Sequence, residues 1–566
     1  MKRRLICLLL SVLMALSVFL AGCGLKSSYE NDVTDTDDEQ PQGERNPVTL
    51  TFWLPCEEGT TDEAVALVEA AINKQLKSQF TTAIELKVFP IDEYMNAVNE
   101  RLSKIEKKVE ADKEYERLQR EIAKSLRAEG ITTKPQTTEE TETTAVQTTR
   151  DEDGVVELRY PRVDEYQFDI FCITSYEDYL ALIERDALSE LDTSLNGSAK
   201  VLRSYIYPTF LNAAKFNGVT YAIPNNHGLG EYKFLLVNKE LVDKYNYDPD
   251  TLTTIEACEE FIRDIGVYEE DESIAPLLSW VDPAGMTYWS PDGSWNVLAS
   301  LVPDSATFNT KVAINSIFKI NAYKSNFKLM RSFQDEGLIA EDPSAVEKFG
   351  VGVISGDYSD VEKYKDDYYI HLYERPTATQ KDVFAGAFAI SAYTKNFNRA
   401  MEVIIAINTD PTIRNLLQYG IEGVHYELDD QGRAVKISND YNMNLLYTGN
   451  AYMAYPSEDM DPNQWEYDKQ KNLDLKLSPF LYCPNLFNEQ NAEYYEELVK
   501  ISKDFYERLQ NVPTEDIDTF FSDAQEELAA NQVFNKMSSE TAWEFSPAYI
   551  YNEFYTENFA PEEPVQ

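Results

Sequence analysis

Residues 221–241 read YAIPNNHGLGEYKFLLVNKEL. An apolar start runs into Pro224, two amides, His227 and two glycines, and a second apolar run then leads into the charged opening of a helix. Gly228 and Gly230 can take positive φ without penalty and Pro224 interrupts ladder hydrogen bonding, so strand pairing should stop between the two apolar runs. Two architectures fit: a tight turn between neighbouring strands, or a place where the chain crosses from one compact unit to another.

On the N-terminal side, residues 48–53 (VTLTFW) are β-branched and aromatic enough for a strand, and residues 55–60 supply a loop. Val65, Val68, Ile72 and Leu76 mark one face of an amphipathic helix, and residues 84–89 read as the next strand. Strand, helix, strand in this rhythm is a βαβ unit with parallel strands. Ligands of open α/β sheets sit beyond the C-terminal strand ends, which makes Trp53 and, in the following loop, Glu57 candidate binding residues.

Between these units lies a stretch of a different kind. From 94 to 128 the charge is dense, yet Val98, Leu102, Ile105, Val109, Leu118, Ile122 and Leu126 keep a roughly helical stripe. A helix of roughly 50 Å, at 1.5 Å per residue, outruns a sheet, so it projects or folds back. Residues 131–154 are Thr/Glu-rich low complexity. Residues 94–165 therefore read as a helical and disordered insertion: a surface spacer on the plainer view, a docking element on the other.

The N-terminus speaks to location. Lys2, Arg3 and Arg4 precede an uncharged apolar run, residues 5–20, that ends in Leu20-Ala21-Gly22-Cys23. Residues 1–22 have the pattern of a secretory signal peptide, and the small residues directly before Cys23 resemble a bacterial lipoprotein signal, in which cleavage leaves Cys23 lipidated. Residues 23–47 are polar and acidic, a flexible tether that cannot bury enough surface to offset chain entropy. The expected location is the outer face of the cell membrane, held by the lipid.

The 566 residues are enough for more than one core, and 98 acidic against 51 basic side chains give a formal net charge of −47. Such a surface repels phosphate backbones, which argues against nucleic-acid partners. Cys56, Cys172, Cys258 and Cys483 are too widely spaced for a disulfide-stapled small domain or a zinc module, and their pairing is left open.

The order of motifs carries a resemblance. Residues 168–173 (FDIFCI), then Leu188-Ser189-Glu190-Leu191-Asp192, Gly218-Val219-Thr220-Tyr221-Ala222-Ile223-Pro224 and Val237-Asn238-Lys239 resemble family 1 extracellular solute-binding proteins of ABC importers, with Val237 where that family has Tyr. Residues 387–391 and 396–404 resemble its later strand and helix, and residues 418–426 (QYGIEGVHY) a Firmicutes-type branch.

The resemblance implies an α/β, two-lobe, periplasmic-binding-protein-like (type II) fold with an inter-lobe cleft and the helical insertion in the first lobe. Residues 48–226 and 384–420 would form the first lobe, 231–376 and 421–540 the second, and 541–566 an acidic tail. It also implies a solute as ligand, ABC permease subunits as partners, no cofactor and no metal. Cleft candidates are Tyr176, Asn226, His227, Tyr232, Asp357 and Tyr358, with Trp280 and Trp289 as aromatic walls on which sugar rings could stack. His227 is read as a hydrogen-bonding hinge residue rather than a catalyst.

Enzyme readings find little support. The chain lacks G-x-S-x-G, H-E-x-x-H and P-loop motifs, and its three histidines, His227, His371 and His425, are far apart in sequence. The expectation is a receptor that captures an oligosaccharide for an ABC importer and catalyses nothing. A peptide receptor of the same fold and a surface glycan-binding adhesin are the alternatives.

Overall fold

The computed structural model describes residues 45–128, 148–150, 156–281, 294–300, 311–483 and 486–559. The signal peptide, Cys23, the tether up to residue 44, Trp289 and most of the Thr/Glu-rich run lie outside the described residues.

Strand β1 (Val48–Cys56), helix α1 (Asp62–Phe80) and strand β2 (Thr82–Pro90) form the expected parallel βαβ unit, in register from Val48↔Thr82 to Cys56↔Pro90. Thr61 caps α1 by accepting from the Ala64 amide. Asp62 and Glu63 in the first turn and Lys77 in the last complement the helix dipole. Helix α2 (Ile91–Ala128) then runs back along the sheet. Its first turns are not an insertion: Tyr94, Val98 and Leu102 have no exposed surface and belong to the first core, with Ile105. The Tyr94 hydroxyl donates to the Cys172 carbonyl at 2.8 Å and accepts from the Cys172 amide at 3.0 Å, pinning α2 to the next strand.

That strand is β3 (Ile170–Ile173), followed by α3 (Tyr176–Glu184) and, after several short helices, β4 (Ala222–Pro224). Asp169, at the head of β3, is buried, and its carboxylate accepts from the Thr51 amide at 2.8 Å and from Gln167 Nε2 at 2.7 Å. The acid of the FDIFCI motif thus fastens β3 to β1.

After β4 the chain builds a second sheet. Strands β5 (Tyr232–Asn238) and β6 (Ile274–Leu277), helix α4 (Asn321–Asp335), strand β7 (Lys348–Gly356), helix α5 (Tyr358–Glu362) and strand β8 (Tyr368–Glu374) give the order β6-β7-β5-β8. Alternation along β5 feeds two faces: Leu235 and Val237 enter one apolar cluster, Tyr232, Phe234 and Leu236 another. The short strand β9 (Thr377–Ala378) leads back to β10 (Ala387–Ile390), which inserts antiparallel between β3 and β4 and completes a first sheet of order β2-β1-β3-β10-β4. β4 and β5, on either side of residues 225–231, therefore lie in different sheets, and the stretch is a crossover rather than a turn.

Helices α6 (Phe397–Thr409) and α7 (Pro411–Tyr419) cover the first sheet. Helix α8 (Gln464–Asp474) and strand β11 (Lys476–Leu477) carry the chain to the second lobe, where α9 (Ala492–Leu509), α10 (Ile517–Ala530) and α11 (Pro547–Phe559) share an apolar core with Phe318, Tyr323 and Phe327.

Two boundaries differ from the sequence reading. Residues 421–458 pack on the first lobe, not the second: Tyr441 and Met443 are buried in the first core, and the Tyr441 hydroxyl donates to the Leu417 carbonyl. Residues 541–559 are no tail, since Ala548 and Tyr551 of α11 are buried in the helical core. In both places sparse apolar residues within polar sequence find a core that local periodicity does not reveal.

Candidate functional site

Three connections between the lobes lie side by side. Residues 225–231 join β4 to β5, residues 375–386 join β8 to β10, and α8 with β11 forms the third. β9 in the second connection pairs in parallel with β11 in the third, Thr377↔Lys476 and Ala378↔Leu477. Gly230 lies against Thr377 with φ 65°, so a side chain there would be strained and would overlap the Thr377 carbonyl. Gly228 lies against the Asp468 carboxylate, and a Cβ would overlap it too.

Helix α8 is the strut across this bundle. Asn472 Oδ1 accepts from the Leu229 amide at 3.0 Å while its Nδ2 donates to the His227 carbonyl and the Tyr452 hydroxyl, each at 2.8 Å. Lys471 Nζ lies 2.9 Å from Asp468 Oδ1 and 3.1 Å from Asp357 Oδ1, and all three side chains are at most 9% exposed. Gln464 Nε2 donates to both carboxylates, at 2.8 Å to Asp357 Oδ2 and 3.0 Å to Asp468 Oδ1. The Tyr232 hydroxyl donates to Asp474 Oδ2 at 2.6 Å, and burial followed by that carboxylate raises its pKa well above the ordinary tyrosine value.

The candidate residues divide into three groups. His227, Tyr232, Asp357 and Tyr358 gather at the crossovers. His227 Nδ1 donates to the Asn225 carbonyl at 2.7 Å, its ring meets Phe210 edge-on, and burial lowers its pKa. Tyr358 is 48% exposed, its ring 5.0 Å from those of Tyr232 and Phe234. Asn226 is 3% exposed; its amide donates to the Tyr205 carbonyl and accepts from the Tyr207 amide, so its side chain braces the crossover from below.

Glu57 and Tyr176 sit at the C-terminal ends of the first-sheet strands. Glu57 Oε1 accepts from Asn444 Nδ2 at 3.1 Å, and Tyr176 packs 5.2 Å from Phe384.

The two candidate tryptophans among the described residues stand apart. Trp53 is 5% exposed, packed against Phe89 and Phe168 under Arg101, so it is a core residue and not a cleft wall. β1 is covered on both faces, as central parallel strands are. Trp280 packs edge-on to Phe327 with the Arg331 guanidinium over its ring, between two second-lobe clusters.

The sequence reading passes over the polar face of α8. Gln464, Asp468, Lys471 and Asn472 recur at helical spacing and read as a solvated face. It also passes over Asn225, 1% exposed, whose Nδ2 donates to the Leu446 carbonyl while Oδ1 has no partner. Leu446 belongs to a loop held from below by the fully buried Arg414, which donates to the carbonyls of Leu445, Gly449 and Asn450. Cys56, Cys172, Cys258 and Cys483 are all buried. Among the described residues no cluster of His, Cys, Asp or Glu could hold a metal ion, and no helix is long and apolar enough to cross a membrane.

No family model matches the chain. A carbohydrate ABC transporter substrate-binding protein of Streptococcus pneumoniae serotype 4 (strain ATCC BAA-334 / TIGR4) is 22% identical over 386 residues, covering 64% of this chain and 76% of that protein. The crystal structure of the N-glycan transport solute binding protein NgtS from Streptococcus pneumoniae aligns with a TM-score of 0.54 at 17% identity, over 91% of this chain and all of that one. An extracellular solute-binding protein from Bifidobacterium longum subsp. infantis aligns with a TM-score of 0.48 at 13% identity, over 92% of this chain and all of that one. The chain shares the two-lobe fold of solute-binding proteins.

Proposed function

We propose that this chain is a lipid-anchored extracellular receptor, of the family 1 type, that captures an oligosaccharide between its lobes and presents it to an ABC importer permease. The observation that carries the reading is the bundle of three crossovers, with two glycines and a buried polar strut, joining two separate sheets. Few backbone positions need to turn for the lobes to close, which is the mechanics of hinge closure on a ligand. Ligand sites favour such domain interfaces.

The relative named a carbohydrate ABC transporter substrate-binding protein supports sugar as the ligand class. In this reading the half-exposed Tyr358 ring is a stacking face, and Glu57 and Tyr176 meet hydroxyls from the first lobe. Closure and release need no bond to break, and no residue is assigned to catalysis. Cys23 is the lipid attachment point.

A thermal-shift screen of the mature chain against oligosaccharides and peptides tests this. A ligand at a hundredfold excess over its Kd stabilises by about 2.7 kcal/mol, a readily measured shift. Stabilisation by peptides alone would replace the sugar assignment, and release of reducing sugar from a bound glycan would replace the receptor assignment.

A further inference from the structure

Helix α2 carries two apolar stripes on different faces. Tyr94, Val98, Leu102 and Ile105, continued by the half-buried Val109, pack into the first lobe. The helical repeat puts positions 111, 115, 118, 122 and 126 on a second face, turned from the first by about 120° at 3.6 residues per turn. Every side chain from Glu110 to Leu118 is exposed, with Tyr115 at 64% and Leu118 at 45%. The helix passes Tyr166 at Lys108, 4.3 Å from ring to ammonium, and Gln167 beside that ring bonds the Thr49 carbonyl near the start of β1. It therefore leaves the lobe at the edge opposite the crossovers, and residues 109–128 extend about 30 Å further.

Charge is segregated along this arm. Residues 110–116 hold four acids and one base, and residues 117–128 hold four bases and one acid. In a chain of net charge −47, the arm from 101 to 128 carries nine basic against six acidic residues. Two such arms side by side in the same direction set like charge on like; in opposite directions each acidic half meets a basic half, and the apolar stripes meet about Leu118. The pairs within the helix, Arg117 with Glu114 and Arg120 with Glu116, are exposed and weak, so they exchange at little cost. Residues 129–147, which follow the arm, are polar and Thr/Glu-rich.

We propose that α2 beyond Val109 pairs antiparallel with the same arm of a second copy of this chain, making a two-fold dimer whose crossovers stay free. Such an interface is self-complementary, as a two-fold axis requires.

Sedimentation of the mature chain over a micromolar concentration series tests it. The wild type should double in mass with concentration, and Leu118→Glu, at an exposed position with the fold checked by circular dichroism, should remain monomeric. Replacing Glu110, Asp112, Glu114 and Glu116 by Lys should abolish the dimer. Replacing Arg117, Arg120, Lys124 and Arg127 by Glu in the same chain should restore it, because the halves are then swapped rather than matched. A chain that is monomeric at every concentration, a dimer that survives Leu118→Glu, or an eightfold variant that fails to re-associate while keeping its helix content overturns the proposal.

Discussion

Gly228 lies against the carboxylate of Asp468 so closely that a single methyl group on the glycine would occupy the carboxylate's place. Neither side can yield easily. Asp468 is fixed by Lys471 and Gln464, and the backbone around Gly228 is clasped by Asn472 on both sides. The first and third crossovers thus move as one body, and any turn between the lobes is concentrated in the residues flanking this contact.

Gly228→Ala should therefore disturb closure more than folding. The added methyl forces α8 away from the crossover at a stability cost of about 1–3 kcal/mol, typical of overpacking. In the receptor proposed above, a hinge held in the wrong resting angle should weaken oligosaccharide affinity by roughly tenfold or more, about 1.4 kcal/mol per decade. Calorimetric titration beside urea denaturation separates the two effects; unchanged affinity would show that the contact is passive.

Lys471→Met should be more damaging than its chemistry suggests. Removing the ammonium leaves Asp357 and Asp468 buried without a counter-charge, a loss of roughly 3–5 kcal/mol for a broken buried ion pair. Adding Asp357→Asn and Asp468→Asn should recover most of it in urea melts. Burial lowers the Lys471 pKa, but Asp468 and Asp357 outweigh it and the net shift is upward. The contribution is therefore complete at neutral pH and is lost only as pH rises beyond the ordinary lysine value of about 10.4.

Arg414 makes a prediction about a loop rather than a helix. Burial pulls its pKa down to about 9, so it is cationic at neutral pH, and it is held by carbonyls instead of carboxylates. Arg414→Met would take a donor from the carbonyls of Leu445, Gly449 and Asn450; the Met453 amide still bonds Asn450 and the Thr448 hydroxyl still reaches Leu445, so the Gly449 carbonyl is hit hardest, at about 1–3 kcal/mol if it stays buried and unpaired. Because Leu446 of that loop meets Asn225 and Asn444 meets Glu57, hydrogen exchange of residues 444–450 and oligosaccharide affinity should both report the change.

How far the sequence carries depends on whether a signal is local. The crossover at 225–231 and the βαβ opening are legible because Pro224, Gly228 and Gly230 act on their own backbone, and because strand and helix periods are local patterns. Burial of a two-sided strand is not. Trp53 stands in a run, VTLTFWLPC, with apolar residues on both faces, so residue type alone cannot say whether it meets ligand or core. The polar stripe of α8 is the converse: Asp468, Lys471 and Asn472 look solvated until a crossover from more than two hundred residues away packs on them. Residues 421–458 lack any long periodic element, and their attachment to the first lobe rests on single side chains such as Tyr441 and Met443.

His227 gives the crossover a pH dependence whose sign can be worked out. Burial lowers its pKa below the ordinary histidine value; the Asn225 and Asp382 backbone and the Asp468 and Asp382 charges act the other way and lose. The unfolded chain then takes up a proton near pH 6.5 that the folded chain refuses, so stability is complete above about 6.5 and falls as the pH drops through the lower, folded value. His227→Asn keeps an amide donor where Nδ1 bonds the Asn225 carbonyl but cannot titrate. Its stability should change less between pH 7 and pH 5 than that of the wild type, as measured by urea denaturation at each pH. Other groups titrate equally in both proteins and cancel in the comparison. Equal slopes would mean that protonation of His227 is accommodated by the folded crossover, and that the ring is not the neutral spacer its contacts describe.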